Sequence, residues 1–304
     1  MGKEDDQMPV TKIQAEIALD AKVRLGEGSF WNTRQNNLWW VDIEGKAFHI
    51  FDPSSGKDRI IKVGARIGTV VPDLEGNAIV ALQNGIHKLD LETEELELIT
   101  NPLEHKENLR FNDGKCDPSG RFWVGSMDLD EEESIASLYR MDHDGSVKEM
   151  LKEVTISNGI VWTADRKTMY YIDTPTLKVK AFDYDDATGN ITNSRTAVDI
   201  PEEAGNPDGM SIDTEGNLWI AHWGGFCVAC WNPETGKLIK KVEVPAPQVT
   251  SCAFGGKDFD ILYITTAREG MSEEKLKEYP QSGGIFSAKP GVKGLPFIFC
   301  KYSP

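Results

Sequence analysis

Short runs of apolar and β-branched residues recur along the chain between polar, turn-forming stretches, and helical periodicity is almost absent. Runs of this kind, bounded by Gly, Asp, Asn and Pro, are typical of β-strands. The strongest runs are NLWWVDI, NAIVALQ, RFWVGSM, TMYYIDT, NLWIAHW and ILYITTA. Three of them follow the turn-forming stretches DLEGN, DPSGR and DTEGN. The pattern predicts an all-β protein.

The six strong runs are spaced at a nearly constant interval. One large residue in each serves as a marker: Trp39, Ile79, Trp123, Tyr170, Trp219 and Tyr263. Successive markers are 40, 44, 47, 49 and 44 residues apart. Repeats of about 40 to 50 residues are typical of propeller blades, which bury their faces by stacking radially. Tandem sandwich domains would instead give units of about 100 residues. We therefore predict a six-bladed β-propeller.

The repeat also predicts the domain organisation. Residues 11–304 are expected to form a single propeller domain, and residues 1–10, MGKEDDQMPV, a flexible N-terminal segment. The segment 11–24 precedes the first marker, so we expect it to pair with C-terminal strands and close the ring, which leaves no exposed sheet edge.

The charge balance restricts the partners. The chain has 49 acidic and 33 basic residues and a formal net charge of -16, which would repel nucleic acids and anionic membranes. No apolar run could span a bilayer and no export signal is visible, so a cytoplasmic location is expected. Cys227 and Cys230 form a C-x-x-C pair, but residues three apart in a strand point to opposite faces, which argues against redox or zinc chemistry.

Residues at one phase of the repeat are expected to converge, because the innermost strand of every blade lines the central channel of a propeller. Counting back 11 or 12 residues from the markers gives Glu27, Ile67, Asn112, Asn158, Asp208 and Ser251. Two of these are carboxylates and two are carboxamides, and oxygen ligands of these types suit calcium. Each residue taken singly also fits an ordinary turn, since Asn-Asp-Gly and Asn-Gly are turn sequences. The shared phase favours a metal site.

The strings at these positions resemble the family of senescence marker protein 30, gluconolactonase and luciferin-regenerating enzyme, which are six-bladed propellers with one divalent metal ion. The resemblance extends over nearly the whole chain, through GEGSFW, RFNDGKCDPSGRFWVGSM, ISNGIVW, PDGMSIDTEGNLWIA, SCAFGGKDFDILYITTAREGM and SGGIFSAKPGVKG. It implies that Glu27, Asn158 and Asp208 bind the metal, and that Asp208 also acts as the catalytic base.

The resemblance further implies substrate contacts at Arg110 and Asn112 in the R-x-N-D-G string. A third, acidic contact maps most nearly to Asp130, within the variable run DLDEEES. A departure from the family pattern occurs after the fifth marker, where His222 begins the string HWGG. A lone histidine there is expected to pack rather than to catalyse, and the departure leaves the identity of the substrate open.

The implied function is metal-dependent opening of a sugar lactone to its aldonic acid, with Ca²⁺ as the expected ion and Zn²⁺, Mn²⁺ or Mg²⁺ as alternatives. The expected partner is a small-molecule sugar lactone, and both a monomer and a homodimer remain open. Two other functions stay open on the same scaffold. One is a metal-dependent phosphotriesterase of the diisopropylfluorophosphatase type, and the other is a calcium-binding regulatory propeller without turnover.

Overall fold

The computed structural model describes residues 10–303. The N-terminal segment 1–10 predicted to be flexible therefore lies outside the described residues, except for Val10. The described chain is built almost entirely from β-strands, with one short α-helix, α1 (Glu273–Glu278), and the 3-10 turns Thr174–Thr176 and Glu202–Ala204. Among these residues, no helix is long and apolar enough to cross a membrane.

The strands follow one another as a series of antiparallel meanders. In chain order they are β1 (Thr11–Gln14), β2 (Glu16–Leu19), β3 (Gly26–Asn32), β4 (Asn37–Asp42), β5 (Ala47–Asp52), β6 (Lys57–Lys62), β7 (Ile67–Pro72), β8 (Ala78–Leu82), β9 (Gly85–Leu89), β10 (Leu96–Thr100), β11 (Leu109–Cys116), β12 (Phe122–Asp128), β13 (Ala136–Met141), β14 (Val147–Val154), β15 (Ser157–Trp162), β16 (Thr168–Asp173), β17 (Lys178–Asp185), β18 (Asn190–Asp199), β19 (Asn206–Ile212), β20 (Leu218–Trp223), β21 (Cys227–Asn232), β22 (Lys237–Glu243), β23 (Val249–Gly255), β24 (Ile261–Thr266) and β25 (Ile285–Ala288).

These strands form six sheets, which confirms the predicted six-bladed β-propeller. The first four blades are β3–β6, β7–β10, β11–β14 and β15–β18. Blade five consists of β19–β22 with β1 added at its outer edge, and blade six of β23, β24, β25 and β2. The first strand of each blade contacts the first strands of both neighbouring blades, in the closed cycle β3, β7, β11, β15, β19, β23 and back to β3. These six inner strands surround the channel.

The N-terminal strands close the ring. β2 pairs antiparallel with β25, with Glu16 opposite Ser287, and so supplies the outermost strand of blade six. This is the closure predicted for the segment 11–24. β1 adds a second link, because it pairs parallel with β22 of blade five and places Thr11 opposite Lys240. The two ends of the chain are thus joined by sheet hydrogen bonds rather than by side-chain packing alone.

The six markers all lie in the second strand of a blade and are buried. Recurring aspartate turns lead into these strands. In blade three, Asp117 accepts from the backbone N–H groups of Ser119 at 3.0 Å and Arg121 at 2.9 Å, and also from Trp123 Nε1 at 3.0 Å. Asp213 holds the corresponding turn in blade five by accepting from Trp219 Nε1 at 2.8 Å. A side chain that satisfies its own turn explains why these stretches end one strand and begin the next.

The core lies between blades, where apolar faces of neighbouring sheets stack. All five cysteines are buried and free. Cys227 and Cys230 lie on β21 opposite His222 and Trp219, respectively. Burial raises the pKa of the Cys227 thiol to about 11, so this thiol is inert packing material rather than a redox or metal ligand at neutral pH.

Candidate metal and substrate site

Each inner strand carries a β-bulge at the phase where the site residues were expected. The register with the second strand shifts between Glu27 and Phe30 in β3, between Phe111 and Gly114 in β11, between Ser157 and Ile160 in β15, and between Pro207 and Met210 in β19. The inner strands of blades two and six are irregular at the same phase. A bulge kinks its strand and redirects the local side chains. The bulges therefore turn one residue of each repeat toward the channel.

Glycines next to the site residues let the inner strands approach one another. A Cβ atom on Gly159 would lie 2.8 Å from the backbone oxygen of Asp208, and one on Gly209 would lie 2.7 Å from Cβ of Ser251. Both distances are too short for a real side chain, so these positions require glycine. The glycines in S-N-G and P-D-G are thus explained by contact between neighbouring blades around the channel.

A cavity of 180 Å³ opens at the end of the channel where the inner strands begin. Its lining includes five of the predicted site residues: Glu27, Arg110, Asn112, Asn158 and Asp208. These come from blades one, three, four and five, and all five side chains are buried. Their residue types and common phase were visible in the sequence, whereas their convergence depends on the closed ring.

Three other predicted positions, Ile67, Ser251 and Asp130, do not line this cavity. Ile67 is apolar, and the Ser251 hydroxyl accepts from the backbone N–H of Ser29 at 3.2 Å and donates to Ser29 Oγ at 2.9 Å. Asp130 is exposed and does not line the cavity, whereas the adjacent Glu131 does. Glu131 has a φ of 60°, a left-handed backbone conformation that changes the direction of the chain within the run DLDEEES.

A chain of hydrogen bonds fixes the amide groups across three blades. Arg110 Nη1 donates to Asn112 Oδ1 at 2.8 Å, and Asn112 Nδ2 donates to Asn158 Oδ1 at 3.1 Å. Asn158 Nδ2 donates to Thr174 Oγ1 at 2.8 Å, and Thr174 Oγ1 donates to the backbone oxygen of Pro207 at 2.8 Å. Because Asn158 Nδ2 donates to Thr174 and Asn158 Oδ1 accepts from Asn112, the amide of Asn158 is held in one orientation.

Thr174 was missed in the sequence. It follows the fourth marker strand and precedes a proline, in the string IDTPT, which gives only a turn signal. Its part in orienting Asn158 appears only when the end of β16 is placed beside the start of β15.

The carboxylates of the site are short of positive charge. Burial, reinforced by the negative charges of Asp208 and Asp113, raises the pKa of Glu27 well above its usual range. Burial and the charge of Asp113 do the same to the pKa of Asp208. Asp208 Oδ1 and Asp113 Oδ2 are buried without a hydrogen-bond partner. Glu27 and Asp208 therefore lie in one desolvated region with Asp113 nearby, and a cation placed between Glu27 and Asp208 would relieve their repulsion.

These residues fit a divalent cation that prefers oxygen ligands. Glu27 and Asp208 supply carboxylate oxygens, Asn158 an amide oxygen, and Asp208 Oδ1 is an orphaned acceptor. Within residues 10–303 no group of three or more His, Cys, Asp and Glu side chains is gathered to hold a metal, so a cation here would depend on the asparagine. A donor set without imidazole or thiolate suits Ca²⁺, Mg²⁺ or Mn²⁺ better than Zn²⁺.

Comparison with known proteins agrees with this geometry. The sequence model described as "SMP-30/Gluconolactonase/LRE-like region" matches residues 25–268, which include all the cavity residues described above. The chain belongs to the SMP-30/gluconolactonase/LRE-like family.

Relatives of this family member share its full length. A putative sugar lactone lactonase, YvrE of Bacillus subtilis, is 40% identical over 288 residues, which cover 94% of this chain and 99% of the relative. Regucalcin of Xenopus laevis is 40% identical over 292 residues, covering 94% and 98% of the two chains. Among solved structures, a luciferin-regenerating enzyme superposes with a TM-score of 0.88 at 33% identity and covers 94% of this chain and 99% of its own. The relatives thus show that the chain belongs to a lactonase-like family, and the solved structure shows that it has a propeller fold.

In this SMP-30/gluconolactonase/LRE-like protein, His222 is a packing residue. It is the position at which a departure from the family pattern was predicted. It is fully buried beside Trp231 and does not line the cavity. Its Nδ1 lies 3.0 Å from the backbone oxygen of Ala204, and its Nε2 accepts from Trp231 Nε1 at 3.3 Å. These partners require the neutral ring with the proton on Nδ1, and burial lowers the pKa of His222 to about 4.

Proposed function

We propose that this protein hydrolyses a sugar lactone to its aldonic acid with the help of one divalent cation, Ca²⁺ in the first instance. The observation that carries the proposal is the convergence of Glu27, Asn158 and Asp208 with Arg110 and Asn112 in one buried cavity, where the pKa values of both carboxyl groups are raised despite the positive charge of Arg110. The name of the Bacillus subtilis relative, a putative sugar lactone lactonase, supports the same reaction.

Glu27, Asn158 and Asp208 would hold the cation. A divalent cation supplies Lewis acidity, which makes a lactone carbonyl easier to attack and lowers the cost of negative charge on its oxygen. The remaining requirements fall on the protein: it must bind the sugar ring, orient it and accept a proton from the attacking water.

Asp208 is the proposed general base. Its Oδ1 has no protein partner, so this oxygen is free to accept a hydrogen bond from water. The burial that raises the pKa of Asp208 also makes its carboxylate a stronger proton acceptor than an exposed aspartate. General-base assistance of this kind contributes roughly 10² to 10⁴-fold in rate.

Arg110 and Asn112 are proposed to orient the substrate. Of the described residues, protein acceptors engage only Nη1 of Arg110, which leaves Nε and Nη2 available for a hydroxyl or carbonyl oxygen of the substrate. The bond from Nη1 to Asn112 Oδ1 keeps the guanidinium plane in one orientation. A rigid fork of donors on a polar wall suits a small polyhydroxylated ring.

The acidic substrate contact predicted at Asp130 can be tested against its neighbour. Since Glu131 lines the cavity and Asp130 does not, Glu131→Gln should raise KM for the lactone several-fold while Asp130→Asn leaves KM unchanged. The two variants are matched because each replaces one exposed carboxylate by the corresponding amide. A raised KM only in Asp130→Asn would support the contact inferred from the family resemblance instead.

A pH-indicator assay tests the function directly. The protein is stripped with EDTA, reloaded with Ca²⁺, Zn²⁺, Mn²⁺ or Mg²⁺, and supplied with gluconolactone, xylonolactone, galactonolactone and arabinolactone. Activity that disappears with EDTA, returns with a cation and is lost in Asp208→Ala would support the proposal. Activity unaffected by EDTA would contradict the metal requirement. Hydrolysis of phosphotriesters alone would favour the phosphotriesterase, and cation binding without any turnover would favour a regulatory propeller.

A further inference from the structure

A second cavity lies at the opposite end of the central channel. The proposed metal ligands stand near the beginnings of the inner strands, whereas this cavity is lined by Cys116, Trp162 and Ile212, the last residues of β11, β15 and β19. Its volume is 230 Å³, compared with 180 Å³ for the first cavity. The reaction proposed above uses none of its residues.

The C-terminal segment 294–303 builds the remaining wall of this cavity. Leu295 N donates to the backbone oxygen of Ile212 at 3.1 Å, Cys300 N to Pro72 at 2.8 Å, and Lys301 N to Gly120 at 2.9 Å. These bonds attach the segment to blades five, two and three. Because backbone hydrogen bonds hold it at several points, the cavity is a permanent feature of the folded chain.

The cavity combines an apolar floor with positive charge. Val161, Trp162 and Ile212 form a buried floor, and Ala164 and Arg166 stand at an exposed rim. Of the described residues that line it, two are basic, Lys115 and Arg166, and none is acidic. Arg166 Nη1 is paired with Asp186 at 3.1 Å, so Lys115 is the cation that remains for a ligand. The sign of the charge in this lining is thus opposite to that of the whole chain, whose net charge is -16. Field lines concentrate in a low-dielectric recess, so the cavity favours an anion.

Two buried hydrogen-bond donors at this end of the channel are not fully used. Lys115 Nζ donates to the backbone oxygen of Met210 at 2.7 Å and lies 4.8 Å from the centre of the Phe297 ring. An ammonium group has three N–H donors, so others remain for a ligand. Trp162 Nε1 is buried without an acceptor. Buried donors left unpaired are costly, which gives an incoming acceptor group a reason to bind.

We propose that this cavity binds a small carboxylate with an aromatic or aliphatic body. The apolar part would pack against Trp162, Ile212 and Phe297, and the carboxylate would accept from Lys115, with Arg166 adding charge at the rim. At about 30 Å³ for each water-sized group, the space suits on the order of eight such groups. The site is separate from lactone hydrolysis and requires no covalent step.

Isothermal titration calorimetry with 3-phenylpropionate tests this site, and 3-phenylpropionamide serves as the neutral counterpart of the same shape. The full-length protein is first treated with EDTA, so that a carboxylate cannot bind through a cation in the other cavity. Saturable binding of 3-phenylpropionate with a Kd near or below about 1 mM, and binding of the amide at least about tenfold weaker, are the expected results. Equal affinity for acid and amide, or no saturable binding, would overturn the proposal.

Variants locate the binding. Lys115→Met should weaken it about tenfold, because the bond from Lys115 to the carboxylate is buried. Arg166→Gln should weaken it about threefold at most, because Arg166 adds only an exposed charge that is already paired with Asp186. Ala164→Trp, at the exposed rim, should block entry and also covers the case in which Lys115→Met fails to fold. Lys180→Met, which removes a half-buried lysine of blade four that does not line the cavity, should bind normally. Binding that survives Ala164→Trp but disappears in Asp208→Ala would assign the carboxylate to the first cavity and refute the second site.

Discussion

Replacing Asp208 by asparagine should make the metal-free protein more stable at neutral pH, although it removes a proposed metal ligand and the proposed base. Without a cation, Glu27, Asp113 and Asp208 are three buried acidic groups whose pKa values are raised by desolvation, and those of Glu27 and Asp208 also by neighbouring negative charges. Each unit by which a buried carboxyl group's pKa is raised corresponds to about 1.4 kcal/mol of lost stability once the group ionises. The asparagine keeps the shape and removes the charge.

The expected gain is about 2 kcal/mol in the free energy of unfolding, because an unsatisfied buried polar group costs about 1 to 3 kcal/mol, a charged one more, and the new amide must find partners of its own. With an unfolding entropy of about 2.1 cal/mol/K per residue, a chain of 304 residues would gain roughly 3 °C in Tm. The size of this stability gain depends on pH. A carboxyl group whose folded pKa is raised costs nothing below its unfolded pKa near 4, and the cost grows as pH rises toward the folded pKa.

Thermal and urea unfolding in EDTA from pH 4 to pH 8 would measure this effect. Wild type should lose stability with rising pH more steeply than Asp208→Asn, and added Ca²⁺ should stabilise wild type and leave the variant unchanged. Asp117→Asn is the matched control with the opposite sign, because that buried carboxylate is satisfied by two backbone N–H groups and Trp123 Nε1. Its replacement should destabilise the protein by about 1 to 3 kcal/mol. A metal-free Asp208→Asn that is less stable than wild type at pH 7.5 would refute the reasoning.

Three further outcomes are expected. Glu27→Gln should weaken Ca²⁺ binding in calorimetry at least about tenfold, because it removes a carboxylate ligand, and an unchanged titration would contradict ligation. Thr174→Val should lower cation affinity about tenfold with the fold intact, since Thr174 orients Asn158, and unaltered affinity would deny it that role. His222→Gln should flatten the loss of stability between pH 6.5 and 4. The His222 pKa of about 4 contributes stability that is lost as pH falls through this window, about 3 kcal/mol in all. An unchanged acid slope would show that His222 is not the group responsible.

The propeller was predictable because its signal is local and repeated. Strand-forming runs such as NLWWVDI and NLWIAHW recur every 40 to 49 residues, and each marker residue lies in the second strand of a blade and is buried. The shared phase also predicted which inner-strand residues lie together, since Glu27, Asn112, Asn158 and Asp208 line one cavity. The substrate contact at Asp130 stays a prediction, because it lies in a variable loop where the adjacent Glu131 lines the cavity.

The sequence by itself determined which side chains recur at each phase, because alternation along a strand and turn chemistry are properties of neighbouring residues. Only the closed ring decided what those side chains meet. Asp113 sits beside Glu27 and Asp208, and Thr174 supports Asn158, through contacts between blades that no local pattern encodes. The second cavity likewise exists only because the C-terminal segment crosses the far end of the channel. Contacts between residues distant in sequence set burial, and burial sets the charge demands on which the proposed chemistry depends.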